Sequence, residues 1–177
     1  PVLSKLNDNK ERQLLYFRKL VRLTAMLTFP VMIGLIAVAD GFVEVFLSIK
    51  WLPIVTYFKL LLLVGIFYPF HTLALNILTA KGFPKWNFGL EMIRNGLVVF
   101  LLLVWHNNIM QMLYGLLLAT VLSMIVDMIL VAWKISYCIY NQIFDILPYL
   151  FMAILMFVLV KALALIPLNV CILFFVQ

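Results

Sequence analysis

Apolar runs of membrane-spanning length, separated by short polar turns, make up most of the chain after residue 22. At about 1.5 Å per residue, a helical run of about 20 residues crosses a hydrocarbon core about 30 Å thick. The pattern therefore predicts about five complete transmembrane helices and part of a sixth. The predicted spans are 23–47, 54–80, 86–105, 111–133 and 146–166, and the sixth apolar segment begins at Val170.

The first 22 residues follow a different pattern, in which cations interleave with apolar side chains. Phe17, Arg18 and Val21 are examples. This arrangement is typical of a basic amphipathic helix that lies on an anionic membrane surface. We therefore predict a basic amphipathic segment at 1–22, followed by a transmembrane helical bundle at 23–177.

The composition excludes an ordinary soluble domain. Hydrophobic residues make up 67% of the chain, charged residues make up 11%, and the mean hydropathy is +1.17. Soluble domains are about half apolar and about a quarter charged. Since a chain of 177 residues has too little interior to bury this much apolar surface, we predict an all-α integral membrane protein in a phospholipid bilayer.

The net charge of +6 indicates membrane topology rather than contact with nucleic acid. Cations gather at 1–22, at 81–85 and at Lys134, whereas the turn at 106–110 has none. By the positive-inside rule, this distribution places the N-terminal segment in the cytoplasm. The span ends also carry all four tryptophans, as expected for an interfacial aromatic belt: Trp51, Trp86, Trp105 and Trp133.

Two carboxylates, Asp40 and Glu44, lie four residues apart in the first span and so share one helical face. An ionised side chain inside a membrane must face protein, water or a cation. For Glu44 we weigh an interfacial ion pair with Lys50. For Asp40 we expect a wet cavity or a neighbouring helix and a possible part in ion coupling. Lys59 and Lys161 are long enough to extend toward the outer interface.

Glu91 and Arg94 are three residues apart in the third span and can pair on one helical face. A structural ion pair is one reading, and binding of a phosphate by the planar Arg94 guanidinium near the cytoplasmic entrance is the other. Asp127 ends a stripe of small and polar residues in the fourth span, which predicts a helix–helix contact. We expect Asp127 to face a polar cavity or to pair with Arg94 or Lys134.

The remaining polar residues and motifs give weaker signals. Asn76 is expected to form interhelical hydrogen bonds, and His71 is expected to have a packing role. The chain has no Gly-rich phosphate loop, no histidines at metal-ligand spacing and no nucleophile elbow. Cys138 and Cys171 are far apart. These absences disfavour an enzyme, and we expect no catalytic residues, cofactor or metal.

Several short stretches, taken in order, resemble the second half of bacterial polysaccharide flippases. These Wzx-type exporters of O-antigen and capsule units belong to the multidrug, oligosaccharidyl-lipid and polysaccharide exporter superfamily. The resemblance covers roughly residues 1–135, with Ser48 standing near the position of a family glycine. It is carried by Pro1-Val2-Leu3-Ser4-Lys5, Phe29-Pro30 with Gly34, Lys50-Trp51-Leu52-Pro53 and Asn76-Ile77-Leu78-Thr79-Ala80-Lys81-Gly82.

The resemblance implies a C-terminal half fragment of an exporter with twelve to fourteen helices in two lobes. The chain would supply most of the second lobe, and the N-terminal lobe of the same protein would be its partner. The implied location is the bacterial inner membrane, and the implied substrate is an undecaprenyl-diphosphate-linked oligosaccharide that alternating access moves to the outer leaflet for surface polysaccharide biosynthesis.

On this resemblance, we expect cations at the entrance and polar groups in a central cavity. The entrance candidates are Lys81 and Lys85, together with Arg94. The cavity candidates are Asp40, Asn76, Glu91 and Asp127. Three alternatives stay open: a multidrug or metabolite antiporter of the same architecture, a membrane enzyme of polysaccharide assembly, and a non-transporting membrane scaffold.

Overall fold

Five long α-helices and one short 3₁₀ helix form the computed structural model, which describes residues 10–135 and 137–164. No strand occurs within those residues. The helices are α1 (Lys10–Leu47), α2 (Val55–Ala80), α3 (Pro84–Val104), α4 (Ile109–Ile135) and α5 (Ile139–Ala164), and the 3₁₀ helix is Ile49–Ile54.

Each helix has a segment long and apolar enough to cross a membrane, so the prediction of an all-α membrane protein is confirmed. Helix α5 begins at Ile139, earlier than the predicted span start at residue 146. The extra turns form because the Gln142 amide nitrogen donates to the carbonyl oxygens of Met128 and Tyr137, which satisfies polar groups at the α4–α5 turn. The predicted sixth segment lies outside the described residues.

Helix α1 is continuous from residue 10, within the predicted amphipathic segment, through the first predicted span. It has 38 residues and passes Pro30 without ending. The apolar side chains of its first turns, Phe17 and Val21, are buried in the same core cluster as Phe29 farther along. The basic segment therefore contacts the bundle through its apolar face, while its location at a membrane surface stays a prediction.

The core lies where α1 and α2 pack against each other and against α5 and α4. Helix α3 packs mainly on α4 and is the least buried helix. Small residues allow close approach: a Cβ on Gly34 would lie 3.3 Å from Met156 Cε, and one on Gly115 would lie 3.0 Å from Trp105 Cε3. Close van der Waals packing of this kind holds helices together in lipid, where the hydrophobic effect between them is absent.

The outer faces of the helices are strongly apolar. Large side chains such as Phe46, Phe88 and Leu103 are mostly exposed, as are many others along all five helices. Soluble monomers rarely expose apolar surface on this scale. The exterior fits a hydrocarbon environment, and the chain is a multi-pass membrane protein.

Two turns have unusual backbone conformations. Gly82, between α2 and α3, has φ +81°, and its N–H donates to the Thr79 carbonyl oxygen. Ser48, between α1 and the 3₁₀ helix, has φ +82° and ψ +160°, a region that only glycine adopts without strain. Ser48 is the residue that stands near the position of a glycine in the resembling family, and a serine holds this conformation here.

Candidate functional site

A buried His71–Asp127 pair joins the middle of α2 to α4. The His71 Nδ1 atom lies 2.7 Å from Asp127 Oδ2, and the two residues are only 5% and 4% exposed. The expected packing role of His71 thus includes a hydrogen bond to Asp127. Of the two alternatives for Asp127, the pair with Arg94 or Lys134 does not form, whereas the carboxylate does line a cavity. Asp127 lies on the side of α4 that packs against α2, so its carboxylate meets His71 and not Lys134 at the end of α4.

Each member of this pair keeps one atom without a hydrogen-bond partner. Those atoms are Nε2 of His71 and Oδ1 of Asp127. Asp127 also lines a cavity of about 40 Å³ between α1, α2, α4 and α5, whose wall includes Gln142 and Tyr137. A cavity of that volume is large enough for water, and its polar wall groups are Asp127, Tyr137 and Gln142 among apolar side chains. The pair therefore has spare hydrogen-bonding capacity inside the membrane-spanning part of the chain.

Helix α3 brings two more charged side chains to this pair. The nearest Glu91 oxygen is 3.9 Å from His71 Nε2, and the Glu91 side chain is 45% exposed. The Arg94 guanidinium lies over the Tyr68 ring, 5.0 Å from its centroid. We call His71, Glu91, Arg94 and Asp127 the central polar cluster.

The predicted ion pair between Glu91 and Arg94 does not form. Within the described residues, Glu91 approaches His71 Nε2 at 3.9 Å, and Arg94 instead makes a cation–π contact with α2. The i, i+3 spacing permits a pair on one helix face, but each side chain here has a competing partner on α2. The guanidinium of Arg94 therefore donates no hydrogen bond to a carboxylate within the described residues.

Asp40 belongs to a second group of charges near the other end of α1. Lys59 Nζ lies 2.8 Å from both Asp40 oxygens, and Lys161 Nζ lies 3.3 Å from one of them. Asp40 thus links α1 to α2 and α5 and faces neighbouring helices. The predicted pair of Glu44 and Lys50 does not form, since a turn and a new helix separate two exposed side chains.

A third ionic group, which spacing along the sequence did not reveal, ties the start of α5 to α1. The Asp145 carboxylate, 2% exposed, accepts hydrogen bonds from Arg18 at 2.7 and 2.9 Å and from Arg22. The buried Tyr137 hydroxyl also donates to Asp145. Burial, followed by this hydrogen bond, raises the pKa of Tyr137, so the phenol stays a donor at physiological pH.

The predicted entrance cations lie at the turn between α2 and α3. Lys81 caps the C-terminus of α2, and Lys85 is exposed at the start of α3. Asn76 is exposed on α2, and its side chain forms no hydrogen bond within the described residues. None of these three residues joins the central polar cluster, so the structure brings together only Glu91, Arg94 and Asp127 among the predicted candidates.

Lys134, at the end of α4, lies among aromatic rings rather than carboxylates. Its Nζ atom is 4.0 Å from the Trp133 ring centroid, 4.7 Å from that of Trp86 and 5.2 Å from that of Phe83. Trp86 and Trp133 also contact each other edge to face. This arrangement fastens the α2–α3 turn to α4 through cation–π contacts.

The site consists of charged and polar side chains that contact one another across three helices. Within residues 10–135 and 137–164, no three His, Cys, Asp or Glu side chains are grouped in a way that would hold a metal ion. Ionisable residues inside membrane spans ordinarily face a bundle interior and mark a substrate or ion pathway. The central polar cluster is therefore the candidate functional site.

These features define the class of the protein as a multi-pass, all-α membrane protein with charged pairs between its helices. Residues 1–56 match a family model described as "Polysaccharide biosynthesis protein". The chain is 40% identical over 65 residues to the "Uncharacterized membrane protein in cps region" of Klebsiella pneumoniae. It is 32% identical over 66 residues to the lipopolysaccharide biosynthesis protein WzxC of Escherichia coli (strain K12).

Each of these two matches covers 37% of this chain and 13% of the relative. No solved structure matches the chain. The resemblance to the Wzx-type polysaccharide flippase family, predicted from the sequence, is thereby confirmed. The central polar cluster lies outside the residues matched by the family model, whereas Asp40 lies inside them.

Proposed function

We propose that this chain is part of a membrane transporter that moves an undecaprenyl-diphosphate-linked oligosaccharide from the inner to the outer leaflet. The product serves surface polysaccharide biosynthesis, such as that of O-antigen or capsule. The proposal rests on the likeness to a lipopolysaccharide biosynthesis protein and to a membrane protein of a cps region. It also rests on five helices of membrane-spanning length.

The observation that carries a transport role is the central polar cluster in the middle of these helices. Charges at this depth are costly unless they serve as structural pairs or line a pathway. His71 and Asp127 satisfy each other only in part, since one atom of each has no hydrogen-bond partner. Both atoms are buried, so a polar ligand would meet them only when the helices around the pair separate.

Arg94 is the group that we assign to the diphosphate. Its guanidinium has five N–H donors in a planar fork that matches phosphate oxygens, and in the structure it forms no salt bridge with Glu91. Lys81 and Lys85, at the end of α2 and the start of α3, add positive charge at the turn that precedes Arg94. These cations would attract the anionic headgroup toward the central polar cluster.

The test is complementation of a strain that lacks the gene. We expect the deletion to abolish surface polysaccharide and the intact gene to restore it. Arg94→Ala is expected to restore much less polysaccharide than the wild-type gene does. Lys50→Ala is the matched control, because it removes one cation from an exposed position in the 3₁₀ helix, and it is expected to restore export fully. Membrane abundance of each variant is measured by immunoblot.

Equal export by the Arg94→Ala and Lys50→Ala variants would contradict the assignment of Arg94. A deletion strain with unchanged polysaccharide but altered drug sensitivity would instead support a multidrug or metabolite antiporter. Full export after combined substitution of Asp40, Arg94 and Asp127 would support a scaffold without a transport role.

A further inference from the structure

We propose that protonation of His71 and binding of a phosphate-type anion at Arg94 favour each other, because both depend on the position of the Glu91 carboxylate. The inference rests on the proposed function in one respect, since it takes Arg94 as the anion-binding group. It adds a proton-controlled step that nothing in the likeness to other proteins assigns to these residues.

The first step concerns the two nitrogen atoms of His71. Asp127 Oδ2 lies 2.7 Å from Nδ1, and because an ionised carboxylate can only accept, ionised Asp127 holds the proton of the neutral ring on Nδ1. The neutral ring then presents a bare lone pair at Nε2, which has no hydrogen-bond partner. The Glu91 carboxylate, 3.9 Å away, is also an acceptor and gains nothing from facing that lone pair.

The second step is the uptake of a proton at Nε2. The ring then becomes a cation with a donor on each nitrogen, flanked by Asp127 on α4 and Glu91 on α3. Glu91 is drawn toward His71 and away from its own helix neighbours. In the structure Glu91 lies 3.9 Å from His71 Nε2 without a hydrogen bond to it, and Arg94 lies over the Tyr68 ring.

The third step is the alternative position of Glu91 when the ring is neutral. Glu91 and Arg94 are three residues apart on α3, a spacing at which opposite charges pair. A partly exposed glutamate released by His71 would turn to Arg94 and occupy its guanidinium. An anion would then have to displace Glu91 in order to bind Arg94.

The other charged groups on the helices around α2 have partners of their own or lie elsewhere. On α1 and α5, five of them pair with each other or with Lys59, as the salt bridges show. The cation of the 3₁₀ helix lies before the first turn of α2. These charged groups are Arg18, Arg22 and Asp40 of α1, Asp145 and Lys161 of α5, and Lys50 of the 3₁₀ helix. The exchange therefore involves Asp127, Glu91 and Arg94.

The experiment measures binding of farnesyl diphosphate to the intact protein in lipid nanodiscs at about pH 5.5 and about pH 8, on either side of the ordinary titration range of imidazole. We expect wild-type affinity to be about tenfold higher at the lower pH, a typical coupling between two sites. His71→Asn keeps an amide donor for Asp127 and reports the pH effect of the diphosphate itself. Glu91→Gln is expected to show the same pH dependence as His71→Asn.

Equal pH dependence in the wild-type protein and in His71→Asn would overturn the proposed coupling while leaving the Arg94 site intact. Undiminished binding by Arg94→Gln would instead contradict the proposed anion site. In that case, solid-state NMR distances from the Glu91 carboxyl carbon test the exchange directly. The carbon should approach the Arg94 guanidinium at about pH 8 and His71 Nε2 at about pH 5.5, and unchanged distances would overturn the inference.

Discussion

Removal of the Asp145 carboxylate should weaken the contact between α1 and α5 more than any exposed substitution nearby. The carboxylate holds three donors at once: Arg18, Arg22 and the Tyr137 hydroxyl. In Asp145→Ala, these donors lose a shared acceptor that is almost fully buried. We expect a lower free energy of unfolding.

The magnitude follows from the exposure of each donor. The Tyr137 hydroxyl is buried, and leaving it without a partner costs about 1–3 kcal/mol. The Arg22 side chain is 48% exposed and can be solvated again at little cost, so it adds almost nothing. Arg18 is less exposed and adds about 1 kcal/mol. The expected total is about 3 kcal/mol.

The assay is reversible unfolding in bicelles by SDS, followed by circular dichroism. Asn141→Ala is the matched control, because Asn141 is exposed one turn before Asp145, and it should change the unfolding free energy by less than about 0.5 kcal/mol. Tyr137→Phe removes the donor that Asp145→Ala leaves unpaired. The double variant should therefore be about 1–2 kcal/mol more stable than the sum of the single effects implies.

Two results would refute this reasoning. The first is an Asp145→Ala variant as stable as Asn141→Ala, which would mean that the ionic group contributes no net stability. The second is strict additivity of Asp145→Ala and Tyr137→Phe. Additivity would show that the two side chains do not share the hydrogen bond seen in the structure.

Three further changes probe packing, backbone strain and cation–π contacts. Gly115→Leu should destabilise the chain by about 1–3 kcal/mol, because a Cβ at this position already crowds α3. Gly96→Leu is the control, since Gly96 has open space around it, and it should not destabilise the chain. Equal effects of the two substitutions in SDS unfolding would contradict the close approach of Gly115 to α3. Ser48→Gly should raise the unfolding free energy by about 1 kcal/mol by relieving φ +82°; a loss of stability would contradict strain at this turn. Lys134→Gln should cost about 1 kcal/mol and change tryptophan fluorescence, since the ammonium lies 4.0 Å from the Trp133 ring; an unchanged spectrum would argue against that contact.

The helices could be predicted from the sequence because lipid imposes one strong rule on it. A backbone in hydrocarbon must satisfy its own hydrogen bonds, so long apolar runs become helices. The start of α5 could not be found in this way. Its first turns contain Gln142 and Asp145, whose polarity suggested a connecting stretch, but partners on other elements satisfy both side chains.

The partners of the charged residues could not be predicted, because spacing along one helix only shows which pairs are permitted. The permitted pair Glu91–Arg94 does not form, and the pairs that do form join different helices. Asp127 is 56 positions from His71, and Asp145 is 127 positions from Arg18. Such contacts depend on the rotation of each helix about its axis. The hint available was the presence of isolated carboxylates in apolar runs, which need a partner somewhere in the bundle.

The ionic groups at the two ends of the α1–α5 pair have a consequence for the surrounding bilayer. At about 1.5 Å per residue, Arg22 and Asp40 lie about 27 Å apart along α1, and Asp145 and Lys161 lie about 24 Å apart along α5. Both distances approach the thickness of a hydrocarbon core, about 30 Å. The two ionic groups therefore fix the depth at which this helix pair sits in the bilayer. A much thicker membrane would have to thin locally around the pair or accommodate one set of charges among its acyl chains.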